Sequence, residues 1–113
     1  MNVVMLMGNL ATDIELREVP PDKKVASFVL AVDRPGDGGA DFLRVSTWNR
    51  QAEVCDEYLA KGSKVGVEGR LRSRSWEDDE GKRRSAVEVV ANRVEFLDMR
   101  NRDETPFDAL APA

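Results

Sequence analysis

Lys64-Val65-Gly66-Val67-Glu68-Gly69-Arg70-Leu71-Arg72-Ser73-Arg74-Ser75-Trp76 is a stretch in which residue character alternates with position. Val65, Val67 and Leu71 take odd positions, whereas Lys64, Glu68, Arg70, Arg72, Arg74 and Trp76 take even ones. Successive side chains of a strand point to opposite faces, so the stretch predicts a strand with an apolar face toward a core and a cationic face ending in an indole. Such a face suits a polyanion that also offers something flat to stack on.

Phe42-Leu43-Arg44-Val45-Ser46-Thr47-Trp48 repeats the arrangement. Leu43, Val45 and Thr47 are expected to face a core, leaving Phe42, Arg44, Ser46 and Trp48 on the other side. If both cationic faces belong to one sheet, Arg44, Arg70, Arg72 and Arg74 surround Phe42, Trp48 and Trp76. Guanidinium groups meet phosphates and aromatic rings meet bases that no partner strand covers, which is the combination that unpaired nucleic acid requires. The competing reading makes the aromatics core and the arginines a solvated coat. It would have to put both tryptophans of the chain on the wrong face of their strands.

At 113 residues the chain predicts one domain with a modest core. Apolar content of 42% and charged content of 34% fit a globular protein with a dense polar surface. No apolar run is long enough for a membrane span, and the N-terminus lacks the basic start of a secretion signal. Cys55 is the single cysteine, which excludes an intramolecular disulfide and suits a reducing cytoplasm. The net charge of −4 argues against a uniformly basic nucleic-acid binder. Charge acts locally, however, since salt screens beyond ~10 Å. From Lys64 to Arg74 there are four basic residues and one acidic, so binding by a patch is expected to be salt-sensitive.

Along the chain, Asn2 to Leu10 reads as a strand that Gly8-Asn9 allows to bend, with Glu15 to Val19 as its continuation. Pro20 to Lys24 is a turn, and Val25 to Asp33 a second strand with Phe28 in the core. Arg34 to Ala40, with three glycines and a proline, reads as a mobile hairpin loop. After the Phe42–Trp48 strand, Asn49 is expected to cap a helix, with Ala52, Cys55, Tyr58 and Leu59 on its buried stripe, Glu57 paired to Lys61, and Gly62 as the left-handed closing residue. Cys55 is a structural thiol, there being no histidine to activate it. Glu77 to Arg84 reads as a hairpin tip whose acidic and basic blocks pair with each other. Ser85 to Leu97 is the last strand, with Val87, Val89 and Ala91 on one side and Val94 and Phe96 on the other after a bulge near Asn92. Residues 98–113 carry no periodicity and are expected to form a short disordered tail, so the domain is 1–97.

Three strands, a helix and two strands favour an all-β fold, a five-stranded OB-fold barrel with one helix between strands three and four, because closure removes exposed edges. In that order the residues resemble the bacterial single-stranded-DNA-binding protein family. The matching pieces are Asn2 to Leu10 with Asp13 and Glu15 to Arg17, Val25 to Val32, Ala52-Glu53, Tyr58 to Ser63, Val67 to Trp76 and Glu88 to Val90, together covering residues 2 to about 97. The resemblance implies a barrel that wraps single-stranded DNA in replication, recombination and repair, commonly as a homotetramer. Without a histidine, an activated nucleophile or a metal spacing, the expectation is binding without catalysis, cofactor or metal, in the cytoplasm with the nucleoid. Phe42 and Trp48 stand where the family has stacking aromatics, and Trp76 matches the tryptophan after its Leu-Arg-x-Arg strand. Arg44, Arg72 and Arg74 align with basic residues of its DNA path, and Arg70 joins them by parity.

Two departures stand out. A further tryptophan that many members carry would fall near Pro35-Gly36, where none occurs. Asp103 to Phe107 is similar to the acidic tip that recruits the family's replication and repair partners, but Asp108 to Ala113 follows it, against recruitment through a terminal carboxylate. Such a chain would be an accessory paralogue with a reduced tail. Two other functions compete with DNA binding. One is the same barrel as an interaction module of a replication or primosome complex. The other is a nuclease holding magnesium on Asp78, Asp79 and Glu80, which lack the alternate spacing of a metal loop.

Overall fold

The computed structural model describes residues 1–97; residues 98–113, and with them the expected tail and its Asp103–Phe107 motif, lie outside the described residues. The elements are β1 (Val4–Leu10), β2 (Glu15–Val19), β3 (Lys23–Asp33), β4 (Ala40–Trp48), α1 (Asn49–Tyr58), β5 (Lys64–Glu77) and β6 (Arg83–Phe96). The expected first strand is interrupted after Leu10, so one barrel strand becomes β1 and β2. The sheet order is β1-β5-β6-β4-β3-β2, and β1 pairs in addition with β3, which closes the ring. Closure runs through Asn9↔Ala31 and Leu10↔Leu30, just where β1 leaves β5 at Asn9↔Lys64. Gly8 makes that double engagement feasible. A Cβ there would collide with the Ala31 carbonyl oxygen.

Alternation fills the interior as the sequence predicts. Phe28, Leu30, Val45, Val65, Val67 and Val89 are buried together with Leu10 and Cys55. Burying such side chains stabilises by roughly 1.5–3 kcal/mol each before conformational entropy is set against it. The bulge near Asn92 is present: Glu68 pairs with Arg93 and Gly69 with Ala91, leaving Asn92 as the extra residue. Its consequence differs from the expectation. The extra residue cancels the change of parity, so Val94 and Phe96 face the same side as Val89 and Ala91, opposite Val67 and Val65. Gln51 of α1 braces the bulge. Its side-chain amide donates to the Asn92 carbonyl at 3.2 Å and to Thr47 Oγ1 at 2.7 Å, and its oxygen accepts from the Val94 N–H at 2.8 Å.

Several local expectations are corrected. Leu71 is 44% exposed and Val87 60%, because β1 ends opposite Gly69 at Val4 and the β5–β6 hairpin runs on past the end of that strand. Asn49 has φ 56° and makes no side-chain cap; its Oδ1 accepts from the Lys24 N–H at 3.3 Å. The helix ends at Tyr58 with an extended Leu59, so Gly62 (φ 97°) serves the following turn and does not close the helix. Ala52, Cys55 and Leu59 are buried, whereas Tyr58 is exposed, its ring 6.4 Å from that of Phe96. Among the described residues Glu57 and Lys61 form no ion pair. The Arg34–Ala40 loop is tied by Arg34, which reaches Asp37 at 3.2 Å and Asp41 at 3.0 Å.

Candidate nucleic-acid interface

The outward face of β5 carries Arg70, Arg72, Arg74 and Trp76, all exposed, with Trp76 at 40%. The outward face of β4 carries Phe42, exposed at 66%, then Arg44, Ser46 and half-buried Trp48. The two strands do not pair with each other. β6 lies between them, paired antiparallel to β5 and parallel to β4. The cross-strand partners Arg70↔Val90 and Val90↔Ser46 put the even positions of both strands on one side of one sheet. All seven residues singled out in the sequence therefore share a face, and the last strand, expected over Ser85 to Leu97, proves to be the one that joins the two.

Small buried side chains make the floor of this face: Ser27, Ser46 and Val90. Ser46 Oγ is buried without a hydrogen-bond partner. Beside it, Lys23, Trp48, Arg70, Arg72 and Asn92 border a cleft of about 430 Å³. Trp48 thus sits among cations at one end of the face. At the other end the Arg74 guanidinium carbon lies 5.0 Å from the centroid of the Trp76 ring. Arg70 and Trp76 are six positions apart on one strand, about 20 Å at ~3.3 Å per residue, so the face is a track and not a pocket. Phe42 stands on the β4 side of it, toward the Arg34–Ala40 loop.

The face also holds an acid, Glu88, that alternation within β4 and β5 does not reveal. Glu88 of β6 is the cross-strand partner of Arg72 and is 6% exposed. Its Oε2 accepts from Arg72 Nε at 3.2 Å and from Arg72 Nη2, and Oε1 lies 3.5 Å from Arg74 Nε. The signal was in the sequence: in Val87-Glu88-Val89 an acid alternates with apolar neighbours, which places it opposite the core. Which strand it would meet depends on pairing between distant segments.

The acidic hairpin is arranged differently from a metal loop. Asp78 accepts from the Lys82 and Glu80 N–H groups at 2.9 and 3.0 Å and from Arg84 Nε at 2.9 Å. These bonds, that from Lys82 foremost, hold its carboxyl below the ordinary carboxylate value. Among the described residues no three of His, Cys, Asp and Glu converge as metal ligands. Cys55, fully buried in α1, has its thiol pushed up by that burial to about 11, which removes its nucleophilic form at neutral pH. No described helix is long and apolar enough to cross a membrane.

Comparison with known proteins identifies the family. The model of the single-strand binding protein family matches residues 1–97. The chain is 44% identical over 109 residues to single-stranded DNA-binding protein 2 of Listeria innocua, covering 92% of this chain and 69% of that protein. It is 42% identical over 113 residues to single-stranded DNA-binding protein 1 of Staphylococcus aureus, covering 96% and 72%. With the single-stranded DNA-binding protein of Halalkalibacterium halodurans it shares 45% identity over 105 residues, 88% of this chain and 62% of that one.

Proposed function

This chain belongs to the single-strand binding protein family, and we propose that it binds single-stranded DNA along the outer face of β4, β6 and β5, without sequence preference and without chemistry on the strand. Phosphates lie along Arg44, Arg70, Arg72 and Arg74 and release their counterions. Bases stack on Phe42, Trp48 and Trp76, each contributing ~1–3 kcal/mol. Every base has a flat face, so the contacts discriminate little between sequences; a duplex hides those faces. In the cell this protects strands exposed in replication, recombination and repair.

The observation that carries the proposal is that both tryptophans stand outside the core, each beside arginines, on one continuous sheet face. A protein-docking role for the same face has no comparable support, because its cations outnumber its apolar groups. The test is anisotropy of labelled oligo-dT against a duplex of equal length. The single strand is expected to bind, with affinity that falls steeply as salt rises, and the duplex to bind far more weakly. Equal binding of the two, or none, would refute the proposal.

We also propose a homo-oligomer. Met5 and Met7 of β1 are 73% and 58% exposed and lie with Gly66, Glu68 and Leu97 along a shallow apolar groove elsewhere on the barrel. A second copy covering that groove would remove apolar surface from water. Molar mass in solution, with and without oligo-dT, measures assembly and stoichiometry together; a monomer in both conditions would contradict this part.

A further inference from the structure

Glu88 is an acid set where an anion is expected to bind. It lies on the middle strand of the cationic face, with Arg72 opposite it on β5, and among the described residues only its two guanidinium neighbours engage its side chain. Both carboxylate oxygens are committed, one to Arg72 and one to Arg74, yet the side chains of those arginines stay 43% and 51% exposed while that of Glu88 is 7% exposed. The acid is thus under the arginines, and the arginines face solvent.

Oε2 takes both the Nε and the Nη2 of Arg72, and Oε1 reaches Arg74, so one carboxylate gives each guanidinium an anionic oxygen of the kind that a phosphate also offers. Resting on the single-stranded DNA reading above, we infer that Glu88 is a resident counterion that stands in for a DNA phosphate. It is a positioning residue: it holds Arg72 and Arg74 extended across the face before DNA arrives. The same charge opposes the strand. It lies well within the ~8–10 Å over which charges act at moderate salt, so it cancels part of the field of the two arginines, lowers affinity and hastens release. A binder that must be displaced by other proteins gains from such moderation, because ordered arginines shorten capture while the fixed acid keeps the complex from becoming permanent.

A merely structural ion pair would behave differently. Neutralising it would cost stability and leave the affinity of the folded protein unchanged. The test is therefore Glu88→Gln, which keeps the shape and an accepting oxygen, measured with labelled oligo-dT over a salt series. Binding is expected to tighten by about 3- to 10-fold at low salt, the interaction of one unit charge a few Å away in a largely aqueous surround. Dissociation should slow, and the slope of log affinity against log salt should steepen by about 0.7, one more single-strand counterion. Glu88→Asp, which retains the charge, should keep the parental slope. Unchanged or weaker binding by a folded Glu88→Gln, or a steeper slope in Glu88→Asp, overturns the inference. Should Glu88→Gln not fold, nitrogen-15 spectra of the parent chain decide. The Nε–H signals of Arg72 and Arg74 should be sharp and protected before oligo-dT is added and shift on saturation; signals unmoved at saturation overturn the inference. Failure of the parent itself to bind oligo-dT would strike the underlying DNA reading first and the inference with it.

Discussion

Arg74 and Trp76 occupy the same face of β5, two positions apart, with the guanidinium carbon 5.0 Å from the ring centroid. At that distance the cation is attracted by the ring quadrupole, worth ~0.5–1 kcal/mol at an exposed site. The contact fixes the indole over the track where a free side chain would rotate. Arg74 is in turn directed by Glu88, so an acid on β6, an arginine and an aromatic on β5 form one chain of orientation.

Trp76→Ala should weaken oligo-dT binding by ~1–3 kcal/mol while leaving the fold intact, since Trp76 is on the hairpin beyond the barrel and packs nothing in the core. Titration of the variant and the parent under one salt condition checks this; equal affinities would remove Trp76 from the contact surface.

Gly69 stands opposite Ala91, where the β5–β6 register shifts at the bulge. A Cβ there would collide with the Val90 carbonyl oxygen and crowd Ala91 Cα. Gly69→Ala should therefore destabilise by ~1–3 kcal/mol, read as a fall in thermal midpoint of several degrees. Val90 lies under the cationic face beside Ser46, so DNA affinity of the folded fraction should drop as well. A variant with the parental midpoint would show that the two strands can separate there at no cost.

The Cys55 thiol titrates near 11 in the fold against 9.0 for a free thiol. The folded state thus favours the protonated form, and the sign follows: its contribution is fully present below about pH 9 and is lost as pH rises toward 11. The loss amounts to at most about 2–3 kcal/mol. Comparing unfolding of the parent and of Cys55→Ala across that window isolates the thiol, since other groups titrate equally in both. Parallel profiles would contradict the assigned shift.

Much of the face was legible in the sequence because period-two alternation is local: Arg70, Arg72, Arg74 and Trp76 can turn only together. Phe42, Arg44 and Trp48 follow by the same rule. That β6 would lie between these strands, carrying Glu88 into the middle of the arginines, depends on a parallel pairing of Val45–Ser46 with Val89–Val90 that no local pattern encodes. Leu71 shows the converse limit. Its parity is that of a core residue, yet the barrel stops short of it, and only the length of β1 reveals this. Asn49 has the chemistry of a cap, but its oxygen is taken by the Lys24 N–H across the sheet, a tertiary contact that outweighs the local preference. The bulge at Asn92 was visible as a break in alternation; its effect on Val94 and Phe96 required the register.

The most direct measurement is intrinsic fluorescence during addition of oligo-dT at low salt. Both tryptophans of the chain are assigned to the track, Trp48 in the cationic cleft and Trp76 under Arg74, so stacking bases should quench the emission saturably, with the quenching reversed by added salt. Emission unchanged through the titration, under conditions where anisotropy reports binding, would contradict the placement of the strand along β4, β6 and β5.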